Sequence, residues 1–322
     1  MNLQSDKVTR CWGDKLTKAA FAILLSPCHV VTLSLLIGCG GAPKPTTPPG
    51  DLELTQQLST ARAAFNRGAW PQAASLYGLA LKRAEAMDNA SELANTAYNY
   101  AATLVQAGRY DDAWAVLLEA RAEAQRAGIS IADVTVLQSR TAHLQGRPDD
   151  AIALADAVLS DKSASADVRL QAVLVKGEVA SEQKDLPAAR AALSQTKPLI
   201  AAGTTPSLAA GIAELEGAIA LLENNPAAAA ERFDRQAAFL QRAKLYNDMS
   251  RALALAGDAY AAANQPAPAA DRFYRAARSA LALNEPTAAR PWLEAASRNA
   301  DPAMAERIAN LRKSLPATQP VK

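Results

Sequence analysis

Few side chains in this sequence have the chemistry of a reactive centre. There are three cysteines, Cys11, Cys28 and Cys39, and two histidines, His29 and His143. A thiolate serves as nucleophile, metal ligand or acylation site, and an imidazole as base or ligand. His143 is the single histidine downstream of the N-terminal segment, which excludes a multi-histidine metal centre, and one cysteine remaining after removal of that segment can make neither an intramolecular disulfide nor a cysteine zinc site. No HExxH, GxSxG, glycine-rich phosphate loop or EF-hand loop occurs. The pairs Asp111-Asp112 and Asp149-Asp150 have the residue type for acid-base catalysis, but each follows a turn, where carboxylates complement the positive end of a helix dipole. Trp70 and Trp292 stand where neighbouring helices pack, so both read as core. The chain is therefore expected not to be an enzyme and to hold no metal and no cofactor.

The first fifty residues must present Cys39. Residues 1 to 18 are polar with four basic side chains, and residues 19 to 37 carry no charge when His29 is neutral, the n-region and h-region of a secretory signal. The apolar run is nearly long enough to span a bilayer, which leaves an uncleaved membrane anchor as the alternative; Pro27 and His29 near its middle weaken a spanning helix. Leu36-Ile37-Gly38-Cys39 resembles the lipobox of bacterial lipoproteins. The resemblance implies removal of residues 1 to 38 as a signal peptide and a covalent lipid on Cys39, with two or three acyl chains sufficing for stable anchoring. Gly40 stands where an aspartate would signal inner-membrane retention, so the resemblance further implies the outer membrane, facing the periplasm. Residues 39 to 50 then form a Pro/Gly-rich tether, about 3 Å per residue where prolines dominate.

Beyond residue 38 the chain has 30 basic and 30 acidic residues, so the net charge of +2 belongs to the N-terminal segment. A neutral body lacks the positive field that binds a nucleic-acid backbone, and nucleic acid is not an expected partner. Half the residues are hydrophobic but only 5% aromatic, with alanine dominant, which favours closely packed helices.

An internal repeat fills the rest. A turn residue at Gly68, Gly108, Gly146, Lys184, Asn224, Asn264 and Asn284 is followed five places later by Ala73, Ala113, Ala151, Ala189, Ala229, Ala269 and Ala289. Four places further stands Tyr77, Leu117, Ala155, Leu193, Phe233, Phe273 or Leu293. The physical reading is helix, tight turn, helix. The turn residue supplies the positive φ that ends one helix, and Pro71, Pro148, Pro187, Pro226, Pro266 and Pro286 start the next. The alanine falls where the two helices cross most closely. This pattern resembles the tetratricopeptide repeat, most clearly at Gly68, Trp70, Ala73, Tyr77 and Ala80, at Gly108, Tyr110, Ala113 and Ala120, and at Gly257, Tyr260, Ala269, Phe273 and Ala276. It departs from that family in its period, 38 to 40 residues against about 34. The resemblance covers about residues 53 to 300 and implies an all-α, right-handed α-solenoid of antiparallel helix pairs over residues 51 to 315. About six repeats and C-terminal capping helices are expected, with residues 316 to 322 a disordered tail.

In the resembled family the first helix of each pair lines a concave groove. Transferring its groove positions gives Leu58, Arg62 and Asn66; Asn95, Tyr98, Ala102 and Gln106; Val136, Arg140 and His143; Leu174, Glu178 and Glu182; Glu214; and Arg251 and Asp258. On this reading the N-terminal half of the groove is mildly basic and the C-terminal half acidic, and a protein segment is held between them. The bland alternative is a set of solvated helix faces. The expected function is a cell-envelope lipoprotein acting as a protein-protein interaction scaffold, with another envelope protein as partner and the membrane reached through the lipid. The alternatives are a peptidoglycan- or glycan-acting enzyme, which needs a carboxylate in a deep cleft, and a membrane-anchored sensor with an uncleaved N-terminal segment.

Overall fold

In a computed structural model, residues 51 to 200 and 204 to 316 are described; Leu36, Ile37, Gly38, Cys39, the tether to residue 50 and the end of the chain from residue 317 lie outside them. The described residues form fourteen α-helices and no strand: α1 (Leu52–Asn66), α2 (Trp70–Met87), α3 (Ala90–Gln106), α4 (Tyr110–Arg126), α5 (Ala132–Leu144), α6 (Pro148–Ser160), α7 (Ala166–Glu182), α8 (Leu186–Thr196), α9 (Pro206–Leu222), α10 (Pro226–Arg242), α11 (Tyr246–Ala262), α12 (Pro266–Ala282), α13 (Pro286–Arg298) and α14 (Pro302–Arg312). Among the described residues no helix is long and apolar enough to cross a membrane.

Each helix packs chiefly on its neighbours in sequence, so the chain is an all-α solenoid of antiparallel pairs: six pairs from α1 to α12, closed by α13 and α14. The turns explain this regularity. All seven turn residues named from the sequence have positive φ, from Lys184 at 59° and Asn224 at 56° to Gly68 at 74°. At each, a backbone N–H beyond the turn reaches back to a carbonyl in the last helical turn, as Ala69 N does to Ala64 O at 3.1 Å and Arg109 N to Leu104 O at 2.9 Å. This six-to-one bond uses carbonyls the helix end leaves orphaned and reverses the chain within three residues. Proline opens α2, α6, α8, α10, α12 and α13 at its first or second position, where no N–H is needed.

The alanine five places after each turn is fully buried in all seven cases. The larger residue four places on is buried as well, except Leu193, which is half-buried in the short helix α8. The longer period is explained by helix length: α3, α4, α7, α9, α10, α11 and α12 each run 17 residues. Three glycines on first helices receive side chains from other helices, Gly217 and Gly257 from the helix that follows and Gly177 from the next first helix, α9. A Cβ on Gly217 would lie 2.5 Å from Phe233 Cε1, on Gly257 2.9 Å from Phe273 Cδ1, and on Gly177 2.6 Å from Leu215 Cδ2.

The two sides of the array differ. First helices touch one another along the middle of the chain, α3 with α5, α5 with α7 and α7 with α9, whereas substantial contact between second helices occurs only at α12 and α14. The first helices therefore crowd the inner side of the curve. In α5 every residue from Val134 to Ala142 is buried, so this helix is enclosed on all sides rather than solvated on one. The array also winds round: a Cβ on Gly68, at the α1–α2 turn, would come 3.4 Å from Nδ2 of Asn247 in the first turn of α11.

Candidate functional site

The inner face contains two linked arrangements. In the first, Arg140 on α5 and Glu178 on α7 occupy equivalent positions of successive first helices. The guanidinium Nη1 lies 3.3 Å from Glu178 Oε1, with both side chains at least nine-tenths buried. One turn along, His143 Nε2 lies 3.4 Å from Glu182 Oε1. This corrects the expected division of the groove into a basic and an acidic half. The Arg140 cation of α5 is neutralised by the Glu178 anion of α7, because one repeat of offset brings the same face of the next first helix alongside. Glu182 remains exposed at the edge, and Arg140 is inside the structure.

The second arrangement is a cleft of about 390 Å³ between α9, α10, α11 and α13. Glu214 and Gln236 meet at its back, where the Gln236 amide donates to Glu214 Oε2 at 2.9 Å. Asp248, in the first turn of α11, is 5% exposed and faces Arg251 at 3.5 Å. Asp258, Leu255 and the half-buried Trp292 line the same space. Burial first, and then the Glu178 carboxylate, push the Glu214 carboxyl well above the ordinary carboxylate range; Arg140 opposes this and Asp248 adds to it. Burial likewise raises Asp258, against the pull of Arg298. Two buried oxygens on residues of this cleft, Gln236 Oε1 and Asp248 Oδ2, have no hydrogen-bond partner.

The remaining sequence-predicted positions stand apart from the cleft. Arg62 and Asn66 are exposed on α1, and Asn95, Tyr98 and Gln106 are half-buried on α3. Arg62 lies beside the buried Tyr77 hydroxyl, whose pKa burial raises and Arg62 draws back. The transferred pattern found Glu214, Arg251 and Asp258 but missed Gln236, Asp248 and Leu255. Gln236 belongs to a second helix, which that pattern never samples, and Asp248 reads in sequence as an acid at a helix N-terminus. Trp292, expected as core, packs on the C-terminal core and also lines the cleft. Asp111, Asp112, Asp149 and Asp150 sit in the first turns of α4 and α6, where Asp112 pairs with Arg109 and Asp150 with Arg147.

No protein-family model matches the chain, and no curated protein matches it. Solved structures with a similar course include the hetero-tetramer Cut9-Hcn1 of the APC/C, at 14% identity and a TM-score of 0.46, covering 83% of this chain and 57% of that one. A tetratricopeptide repeat protein from Parabacteroides merdae matches at 11% identity and a TM-score of 0.44, covering 82% of this chain and 99% of that one. BtubC from P. vanneervenii matches at 16% identity and a TM-score of 0.47, covering 73% of this chain and 93% of that one. The chain thus spans little more than half the length of the first of these. Its solenoid fold stands on its own turns and packing.

Proposed function

We propose that this protein is a cell-envelope scaffold that holds a segment of another protein along the inner face of its helical array, and that a lipid on Cys39 tethers it to the outer membrane on the periplasmic side. The observation that supports the binding role is the cleft of about 390 Å³ on the inner face, where Asp248, Arg251 and Asp258 stand beside Leu255 and Trp292. The anchor is supported by Leu36-Ile37-Gly38-Cys39 behind an uncharged run.

Photo-crosslinking in cells from Leu221 and Leu255, two exposed leucines on α9 and α11, tests the scaffold. One defined partner should be captured from both sites and not from Leu79 or Leu118 on second helices. Capture of nothing from either inner site would overturn the reading. For the anchor, Cys39→Ala should move the protein from the membrane fraction to the soluble fraction, and unchanged membrane retention would sink it.

A glycan-acting enzyme is the second reading, and one observation favours it: Glu214, with its raised pKa, shares a cleft with Asp258 and Trp292. It ranks second because burial pushes Glu214 and Asp258 in the same direction. A glycosidase pair is pushed apart, one carboxyl kept protonated and the other ionised.

A further inference from the structure

On the outer side of the array the second helices α10 and α12 leave a groove of about 590 Å³ between them, with α11 beneath. Its floor is apolar, made of Met249 and the buried Leu253 from α11 beside Ala237 and Ala238 of α10. One face of α12 supplies the polar wall, because Arg275, Arg278 and Ser279 fall within about one helical turn.

The charges in this wall do not cancel. Asp234 is the carboxylate that lines the groove, and both of its oxygens are taken: Oδ1 accepts from Arg272 Nε at 2.9 Å, and Oδ2 from Arg272 Nη2 at 2.8 Å and the Tyr260 hydroxyl at 2.9 Å. Arg272 Nη1 donates to Asp271 Oδ2 at 2.8 Å, and Arg275 faces that same, already occupied oxygen at 3.5 Å. Arg278 has no carboxylate partner among the described residues and lies 5.7 Å from the centre of the Tyr274 ring, which Arg307 of α14 approaches to 4.5 Å. The Ser279 hydroxyl and the Gln241 side chain, both lining the groove, make no hydrogen bond among the described residues. Donors and positive charge are thus in excess, and an anion would complete the site. The surroundings agree in sign: from residue 266 on the chain has nine basic residues against five acidic, whereas residues 51 to 265 have 20 against 25.

The floor narrows what carries the anion. A free inorganic anion makes no use of Met249 and Leu253. A bilayer surface fits poorly, because this apolar surface is recessed and, among the described residues, none of the large exposed apolar side chains lies on α10 or α12 to insert among lipids. A protein segment that alternates acidic and apolar side chains uses both wall and floor.

We infer that the groove between α10 and α12 is a second binding site, on the outer side of the array, for an acidic segment of a partner protein. Its carboxylates accept from Arg275, Arg278 and Ser279, and its apolar side chains lie on Met249 and Leu253. The excess of positive charge at this end of the chain also steers the approach of such a segment. The inference goes beyond the inner-face reading and does not depend on it.

The test uses the full chain and a fluorescent twelve-residue peptide with three repeats of Gly-Leu-Glu-Ser, read by anisotropy. The same peptide with glutamine for glutamate keeps shape and removes charge. The glutamate peptide should bind, and the glutamine peptide should bind at least tenfold more weakly, as expected for losing charge-assisted contacts. Arg275→Gln with Arg278→Gln, both at exposed positions, should weaken the glutamate peptide at least tenfold while melting remains cooperative. Ala238→Phe, which fills the groove and keeps both arginines, should weaken it as well. Lys82→Gln with Lys162→Gln, which removes two exposed cations elsewhere, should leave binding unchanged and so separates the groove from general attraction. Failure of the glutamate peptide to bind, equal binding of the two peptides, full binding by Ala238→Phe, or an equal effect of the two double variants would overturn the inference. So would sedimentation with vesicles of phosphatidylcholine and phosphatidylglycerol that falls with Arg275→Gln and Arg278→Gln in place of peptide binding, since that gives the groove to a membrane.

Discussion

Arg140 and Glu178 form a buried ion pair between two successive first helices, 3.3 Å from nitrogen to oxygen, with Glu214 as the next carboxylate along. The pair is asymmetric in what its loss would leave behind. Removing Arg140 leaves the Glu178 carboxylate away from water without its cation, whereas removing Glu178 also removes the charge that helps keep Glu214 protonated, so that Glu214 can ionise opposite Arg140 in its place.

Arg140→Met should therefore lower stability by about 3–5 kcal/mol, the usual cost of orphaning a buried charge, and Glu178→Gln by clearly less. Adding Glu178→Gln to Arg140→Met should recover part of the loss. Chemical denaturation of the three variants measures this, and equal losses for the two single variants would refute the asymmetry.

Gly217 has no room for a side chain, since a Cβ would sit 2.5 Å from the ring of Phe233. An exposed helical glycine changed to alanine gains about 1 kcal/mol, but here overpacking of about 1–3 kcal/mol opposes that gain. Gly217→Ala should lower the melting temperature, and Phe233→Leu in the same chain should soften the effect of the added methyl. A stabilising Gly217→Ala in thermal denaturation would contradict the packing.

Lys184 and Lys244 adopt φ of 59° and 60° at turns that glycine occupies elsewhere in the array. A left-handed conformation costs a side-chain-bearing residue about 1–2 kcal/mol, partly offset by the greater entropy of an unfolded glycine. Lys184→Gly and Lys244→Gly should each raise stability by roughly 0.5–1 kcal/mol, and Gly108→Ala, at φ 74°, should lower it by a similar amount. Differential scanning calorimetry of the three variants decides.

The raised pKa of Glu214 makes a directional statement about pH. The folded chain holds a proton that the unfolded chain has released, so this group's contribution is fully present below the ordinary glutamate value of about 4.3. It is lost as pH rises through the folded value. Wild-type stability should fall relative to Glu214→Gln across that interval, with the variant the more stable at the alkaline end. The groups that set the shift are Glu178, Arg140 and Asp248, so Glu178→Gln should reduce the pH dependence as well. Parallel stability curves for wild type and Glu214→Gln from about pH 5 to about pH 9 would count against it.

Much of the fold was readable from sequence because each unit is defined locally. A residue at positive φ, a proline just after it and an alanine five places on fix a turn and a crossing without reference to the rest of the chain. Hence all seven turn residues and all seven alanines lie where the repeat put them. The turns at Asp88, Gly128 and Lys244, each linking one pair to the next, were missed. Lys244 is followed five places later by Met249 rather than alanine, so nothing in the residue types marks it.

The inner face was only partly readable. Choosing groove positions on each first helix located Arg140, Glu178, Glu214 and Asp258, because helical periodicity says which residues share a face. It could not say that Arg140 would be spent on Glu178, nor that Gln236 would come from a second helix to meet Glu214.

The sequence by itself determined the helices, their turns, the repeat and the motif at Cys39, all of which depend on residues within about 40 positions of one another. Only the tertiary structure decided how the units stack. Small rotations at each pair of helices add up along the array, and their sum brings Gly68 against Asn247 and sets α9, α10, α11 and α13 around one cleft. No single repeat encodes that sum. The ion pairs that cancel charge on the inner face, and the acceptors left without donors, exist only after it is made.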